Sequence, residues 1–184
     1  MNASPFYHGL LIAGFGGQGV VLAGKLVASA ALLEGREVLW APSYGPEMRG
    51  GAVQCTVIIS AVQIGSPEVA RADSLLLMDQ ASAPKFASRL LPGGLLLLNS
   101  TLVKEFTRGE YAEVISVPAT EAAEALGDAR VANVIMLGAL LARRPVVAAD
   151  SLIAVMREMA GGKEKLLDIN LRAMARGAEL GARR

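Results

Sequence analysis

The chain has 184 residues, 53% of them hydrophobic and 19% charged, with a net charge of +1 and a mean hydropathy of +0.43. That length allows one domain with a sizeable core, and the near-neutral balance excludes the charge footprint of a nucleic-acid or anionic-membrane binder. No apolar run reaches the roughly 18 to 20 residues that span a bilayer.

The longest such run, Val131 to Ala142, contains Asn133 and stops at Arg143 and Arg144. No basic segment followed by an apolar stretch opens the chain, so no signal peptide is expected and the cytoplasm is the expected location. The apolar surplus points to a surface covered by another protein, with an unusually large core as the competing explanation. Cys55 is the only cysteine, which excludes a disulfide within the chain and an iron–sulfur cluster held by this chain alone. His8 is the only histidine, so a histidine-rich metal site is excluded and the inventory of acid–base side chains is poor.

Gly9 to Ala13 reads as a short buried strand, followed by Gly14, Gly16, Gly17 and Gly19 and then a helix over Val20 to Glu34 with Gly35 behind it. Gly14, Gly16 and Gly19 match G-x-G-x-x-G between strand and helix, the context that dinucleotide-binding turns require. Glycines there allow positive φ and close backbone approach, and the first helix amides favour an anion over the turn. The plain alternative is a turn that only packs helix on strand. The helix is apolar nearly all round and is expected to be covered on both sides. The second strand, Val38 to Ala41, ends in Pro42-Ser43-Tyr44 without the acid expected about 20 residues on for a ribose. The turn therefore suits phosphate or backbone docking rather than ordinary NAD.

Ser43 to Gly51 reads as a loop dense in Gly and Pro that gathers Ser43, Tyr44, Glu47 and Arg49, with Gly50 beside the guanidinium. Arg49 offers a planar fork to a carboxylate or phosphate, and Glu47 could hold it in place. Ala52 to Ser60 alternates, with Val53, Cys55, Val57 and Ile59 on one face and Gln54, Thr56 and Ile58 on the other. Val62 to Ile64 is a short extended piece ending at Gly65-Ser66-Pro67. Ser74 to Met78 is a strand that delivers Asp79 to its carboxyl edge, and Ser82 is expected to cap a helix that Leu91-Pro92-Gly93-Gly94 ends.

Leu95 to Leu98 and Tyr111 to Val117 are further strands, and Pro118 and Thr120 open a short helix that stops at Gly127. Helices follow over Val131 to Arg143, Ser151 to Met159 and Glu164 to Glu179. Strands alternating with helices predict an α/β class, a single Rossmann-like domain spanning residues 1–184 with a mostly parallel sheet and helices on both faces. Asn133 and Asn170 interrupt apolar stripes. Asn170 is expected to bond a neighbouring loop backbone, while Asn133, in a first helical turn, suits a ligand or a structural bond equally. Gly177 on its stripe permits close helix approach.

Gly-Phe-Gly-Gly-Gln-Gly-Val at 14–20 followed by Ser-Tyr-Gly-Pro-Glu-Met-Arg-Gly-Gly at 43–51 resembles the gamma subunit of 2-oxoacid:ferredoxin oxidoreductases. The resemblance continues through Ala72-Asp73, Pro92-Gly93-Gly94, the helix bearing Ala132-Asn133 and Leu137-Gly138, and Asn170 to Gly177. Tyr44 to Arg49 looks like the 2-oxoglutarate and branched-chain enzymes, since the indolepyruvate branch tends to carry Gln where Met48 stands. The resemblance implies a pyruvate/ketoisovalerate oxidoreductase gamma-type domain. It also implies a reaction in which a 2-oxoacid, foremost 2-oxoglutarate, and coenzyme A (CoA) give acyl-CoA, carbon dioxide and reduced ferredoxin.

Thiamine diphosphate, magnesium (Mg) and the iron–sulfur clusters are then held by the alpha and beta partner subunits, with delta as a further candidate partner, and the chain alone is expected to be inactive. The implied role of Gly16, Gly17, Gln18 and Gly19 is to receive CoA phosphates, with Gly14, Ser43, Tyr44, Glu47, Arg49, Gly50 and Asn133 around them and no catalytic residue on this chain. Two other readings fit the residues: a free-standing Rossmann-type NAD(P) or flavin oxidoreductase, and a purely structural subunit whose glycine turn packs on a partner.

Overall fold

The buried run Leu10 to Ala13 sets β1 (Tyr7–Phe15) in the middle of a six-stranded sheet. The computed structural model describes residues 6–45, 51–65, 71–106 and 113–183. β1 leads through the glycine turn into α1 (Val20–Leu33), then β2 (Glu37–Tyr44) and β3 (Ala52–Ser60). β4 (Ala72–Leu77), α2 (Ser82–Phe86), β5 (Leu90–Asn99) and β6 (Glu113–Val117) complete the sheet, and α3 (Ala119–Leu126), α4 (Ala132–Arg143), α5 (Ala149–Ala160) and α6 (Glu164–Ala182) follow.

The strand order is β2-β3-β1-β4-β5-β6. β1, β4, β5 and β6 are mutually parallel, whereas β3 runs antiparallel to both β1 and β2. A short connection joins β2 to β3, and a short connection permits only an antiparallel pair, whereas α1 carries the crossover from β1 to β2. The sheet is thus mostly parallel with one reversed strand next to its centre. Pro42 lies in β2, where an edge strand tolerates a residue that cannot donate to a ladder.

The alternation expected for β3 holds. Val53, Cys55, Val57 and Ile59 join the core that α1, α3, α4, α5 and α6 build with Leu10, Ile12, Leu76 and Leu97. Ile58 faces the opposite way and packs with Leu11, Leu75 and Leu96 beneath Ala83 and Phe86 of α2. Helices therefore lie on both faces, five on one and the short α2 on the other among the described residues. α1 is not covered all round as its composition predicts. Its Leu32 and Leu33 are each 60% exposed, whereas Val20, Ala23, Leu26, Val27, Ala30 and Ala31 are buried on the face toward the sheet and α5.

Several boundaries move. Ser82 does not cap α2; its backbone N–H donates instead to Asp79 Oδ1 at 3.3 Å. Leu91 to Gly94 do not end a helix but lie in β5, where a shift of register against Ala72 and Ser74 absorbs them and Gly93 adopts φ 81°. Val62 to Ile64 join no strand ladder among the described residues, and α4 begins at Ala132, after a 3-10 turn over Ala129–Val131. Asn170 does not reach a loop: its Nδ2 donates to Leu166 O, one turn back in α6, at 2.7 Å. Tyr111, Glu47, Arg49 and Gly50 lie outside the described residues.

Candidate functional site

From β1 the chain first builds outward through β2 and β3, then returns to place β4 on the other side of β1. The carboxyl ends of β1 and β4 are therefore the point where the strand order reverses, the place where open α/β sheets leave a crevice. A cleft of about 310 Å³ lies there, walled by Gly17 and Gln18 of the glycine turn, Met78 beyond β4, Leu102, Thr120 at the start of α3, and Arg130.

The glycines have separate physical reasons. A Cβ on Gly14 would come within 2.9 Å of Met78 Cβ, and Gly17 adopts φ 102°. Gly19, at φ 73°, is the N-cap of α1, and a Cβ there would approach Asn133 Cγ to 2.9 Å. Gly16 meets no such demand, and its N–H donates to Gly51 O at 3.2 Å. That bond brings the two glycine motifs of the sequence together.

Gln18 and Asn133 both brace the turn. Gln18 Oε1 accepts from Phe15 N–H at 2.9 Å and its Nε2 donates to Met78 O at 3.0 Å. Asn133, 2% exposed, donates from Nδ2 to Gly19 O at 3.0 Å, and its Oδ1 accepts from Val134 N–H at 2.9 Å. Ser43 and Tyr44 are not loop residues but the end of β2, opposite Gln54 and Val53, two strands away from β1 and outside the cleft walls. Replacing Asn133 by Ala removes the brace and leaves a buried void, so a loss of about 1–2 kcal/mol in urea denaturation is expected.

Sequence reasoning missed Asn99, Thr120 and Arg130. Asn99, fully buried, donates from Nδ2 to Met78 O (3.2 Å) and Thr120 Oγ1 (2.9 Å), while its Oδ1 accepts from Thr120 N–H (3.3 Å). Met78 O thus receives two side-chain amides, from Gln18 and Asn99, which lock the ends of β4 and β5 to the turn. Arg130 is gripped by Asp128: Nε lies 2.9 Å from Oδ1 and Nη2 2.7 Å from Oδ2. That guanidinium holds the Asp128 carboxyl down to about 2. The available sequence signals were an Asn directly after an apolar strand and Asp-x-Arg just ahead of a helix.

Elsewhere, Cys55 lies buried against Gly24 and Trp40, and burial pushes its thiol up to about 11, which keeps it protonated and unreactive. Among the described residues no cluster of three His, Cys, Asp or Glu side chains could hold a metal ion, and no helix is long and apolar enough to cross a membrane.

Residues 9–180 match the protein family described as Pyruvate ferredoxin/flavodoxin oxidoreductase. Ketoisovalerate oxidoreductase subunit VorA of Methanothermobacter thermautotrophicus is 43% identical over 169 residues, 91% of this chain but 35% of that protein, so the chain spans about a third of that relative. The 2-oxoglutarate synthase subunit KorC of Methanocaldococcus jannaschii is 35% identical over 173 residues, covering 92% of this chain and 91% of that one. Among solved structures, the gamma subunit of a keto/oxoacid ferredoxin oxidoreductase from Geobacter sulfurreducens superposes with a TM-score of 0.81 at 32% identity, covering 95% of this chain and 98% of the other.

Proposed function

The chain belongs to the pyruvate ferredoxin/flavodoxin oxidoreductase family, and from that premise we propose that it is the gamma subunit of a 2-oxoacid:ferredoxin oxidoreductase and forms part of its CoA site. The complex converts a 2-oxoacid and CoA to acyl-CoA and carbon dioxide and reduces ferredoxin. Thiamine diphosphate, Mg and the iron–sulfur clusters, which supply the decarboxylation and electron-transfer chemistry, reside on the alpha and beta subunits, with delta as a further partner. This chain contributes binding and assembly.

The observation that carries this reading is the cleft over the glycine turn. The backbone of Gly17 walls it, and the first amides of α1 have no acceptor within the helix. Such a cleft suits a phosphate-bearing ligand. Gly17 supplies backbone, Gln18 and Asn133 keep the shape of the turn, and Arg49 of the second glycine motif is a second anion partner. The inward hydrogen bonds of Gln18 and Asn133 also favour the structural-subunit reading, and the two are separable.

Co-expression with the neighbouring genes and purification through a tag on this subunit is the test. An iron-containing, thiamine-bearing complex that reduces ferredoxin only with CoA present is the expected product, with 2-oxoglutarate assayed beside ketoisovalerate. A lone protein that binds NAD(P) overturns the proposal. Gly17→Ala, strained at φ 102° but in open space, is expected to raise the KM for CoA in an intact complex. A purely structural turn would instead lose assembly.

A further inference from the structure

Two buried polar side chains stand near the amino ends of β1 and β4, at the opposite end of these strands from the cleft. His8, 5% exposed, lies opposite Ile59 of β3, and Ser74, fully buried, lies between Leu10 of β1 and Leu95 of β5. Ile59, Leu10 and Leu95 all belong to the core that the five helices cover, and residues directly opposite one another share a face. The imidazole and the hydroxyl therefore enter the same side of the sheet. His8 precedes Leu10 by two residues, and Ser74 stands beside Leu10. Strands about 4.8 Å apart with a rise of about 3.3 Å per residue put the Cα atoms of His8 and Ser74 about 8 Å apart, a gap that an imidazole, a hydroxyl and one water span. Neither His8 Nε2 nor Ser74 Oγ has a hydrogen-bond partner among the described residues. Leaving two such atoms unpaired is costly, and an internal water is the usual partner where the chain supplies none.

The surroundings specify a neutral occupant. The Asp73 carboxylate and the Arg144 guanidinium act on His8 with opposite sign, so they leave no net charge for an ion to answer. Both are also held already: Asp73 Oδ2 accepts Gly9 N–H at 2.7 Å, and Arg144 Nη1 donates to Asp73 O at 2.8 Å. Water and a serine hydroxyl can each donate and accept, so a bridge closes with either tautomer of a neutral imidazole. We infer that one internal water bridges His8 Nε2 and Ser74 Oγ and ties β1 to β4 on the helix-covered face of the sheet. The bridge is independent of what the cleft over the glycine turn binds.

The test pairs a crystal structure of the full chain, at a resolution that shows ordered water, with urea denaturation of the same protein. The density should hold one water within about 2.7–3.2 Å of both atoms. Denaturation is measured at about pH 7.5, where an ordinary imidazole is neutral in the folded and the unfolded chain. Ser74→Ala takes a partner from the water and should lower the urea midpoint by about 0.5 M. In a His8→Leu background the water has already lost its imidazole partner, so Ser74→Ala should leave the midpoint unchanged or raise it. That dependence of one substitution on the other is the mark of a shared partner.

A site without density, a water that reaches only one of the two atoms, or a protein group bonded directly to either of them overturns the inference. So does Ser74→Ala that leaves the midpoint of the parent unchanged or raises it, since an unpaired hydroxyl is replaced by a methyl group at no cost. An equal fall in the parent and in His8→Leu would show that the two side chains share nothing, and overturns it as well.

Discussion

Gly177→Val is expected to destabilise the protein by more than about 3 kcal/mol, a large fraction of the 5–15 kcal/mol that holds a typical domain. α4 and α6 meet through glycines on both sides. A Cβ on Gly177 would run into the Ile135 backbone, lying 2.8 Å from its carbonyl carbon and 2.9 Å from its Cα. One on Gly138 would approach Ala178 N to 3.0 Å, and one on Gly181 would come within 2.6 Å of Ala139 Cα. The obstacle is backbone in every case, so no rotamer change can relieve it, and the helices must move apart.

Separation strips cover from Met174 and Leu180 and from the buried length of α4 between Ala132 and Leu140, which shelters the sheet. Urea denaturation should therefore show a much lower midpoint for Gly177→Val. Gly65→Ala, where a Cβ meets open space, should stay within about 0.5 kcal/mol of the parent. A Gly177→Val protein as stable as the parent would show that α4 and α6 do not pack this closely.

The second large effect is a loss of stability in mild acid. His8 is buried in β1 with no hydrogen-bond partner for Nε2 among the described residues, and burial pushes its imidazole down from 6.5 to about 4. Two charges face it in opposition. Asp73, which accepts Gly9 N–H on its carboxylate, favours the imidazolium, and Arg144, whose guanidinium donates to Asp73 O, disfavours it. Between pH 6.5 and 4 the unfolded chain therefore binds a proton that the folded chain does not. Stability rises with pH across that window and falls as acid is added.

The shift is worth about 3 kcal/mol in all, of which about 2 kcal/mol is lost between pH 7.5 and 5. Urea midpoints at those two pH values should separate accordingly, and His8→Leu, which cannot titrate and leaves no buried imidazole nitrogen unpaired, should flatten the dependence. An unchanged slope in His8→Leu would assign the acid loss to carboxylates instead.

Much of the candidate site was legible because its causes are local. A glycine at positive φ, a helix start and an apolar strand are decided by neighbouring residues, so the order of β1, turn and α1 could be read directly, as could Gly35 behind α1 at φ 72°. The period of two in β3 divides its side chains between the two faces whatever the strand pairs with. The family resemblance drew on the same short stretches.

Long-range pairing was decided elsewhere. Nothing near Ala52 to Ser60 says that this strand enters between β1 and β2, because that depends on which edge of β1 is open when the β2–β3 hairpin docks. Leu91 to Gly94 carry a helix-stop pattern, yet pairing with β4 draws them into β5 through a bulge. Polar side chains depend most on distant partners. Asn133 meets a carbonyl 114 positions away, Gln18 one 60 positions away, and Arg130 shares a cleft with the glycine turn only because α3 and α4 fold back over the sheet.

By itself, then, the sequence determined the element types, the glycine turn and the family, all set by local sterics and periodicity. Only the tertiary structure decided that Gln18 and Asn133 brace that turn while Thr120 and Arg130 face the cleft. A buried amide bonds whatever acceptor the packed chain brings within reach, and that acceptor is fixed by packing rather than by sequence neighbours.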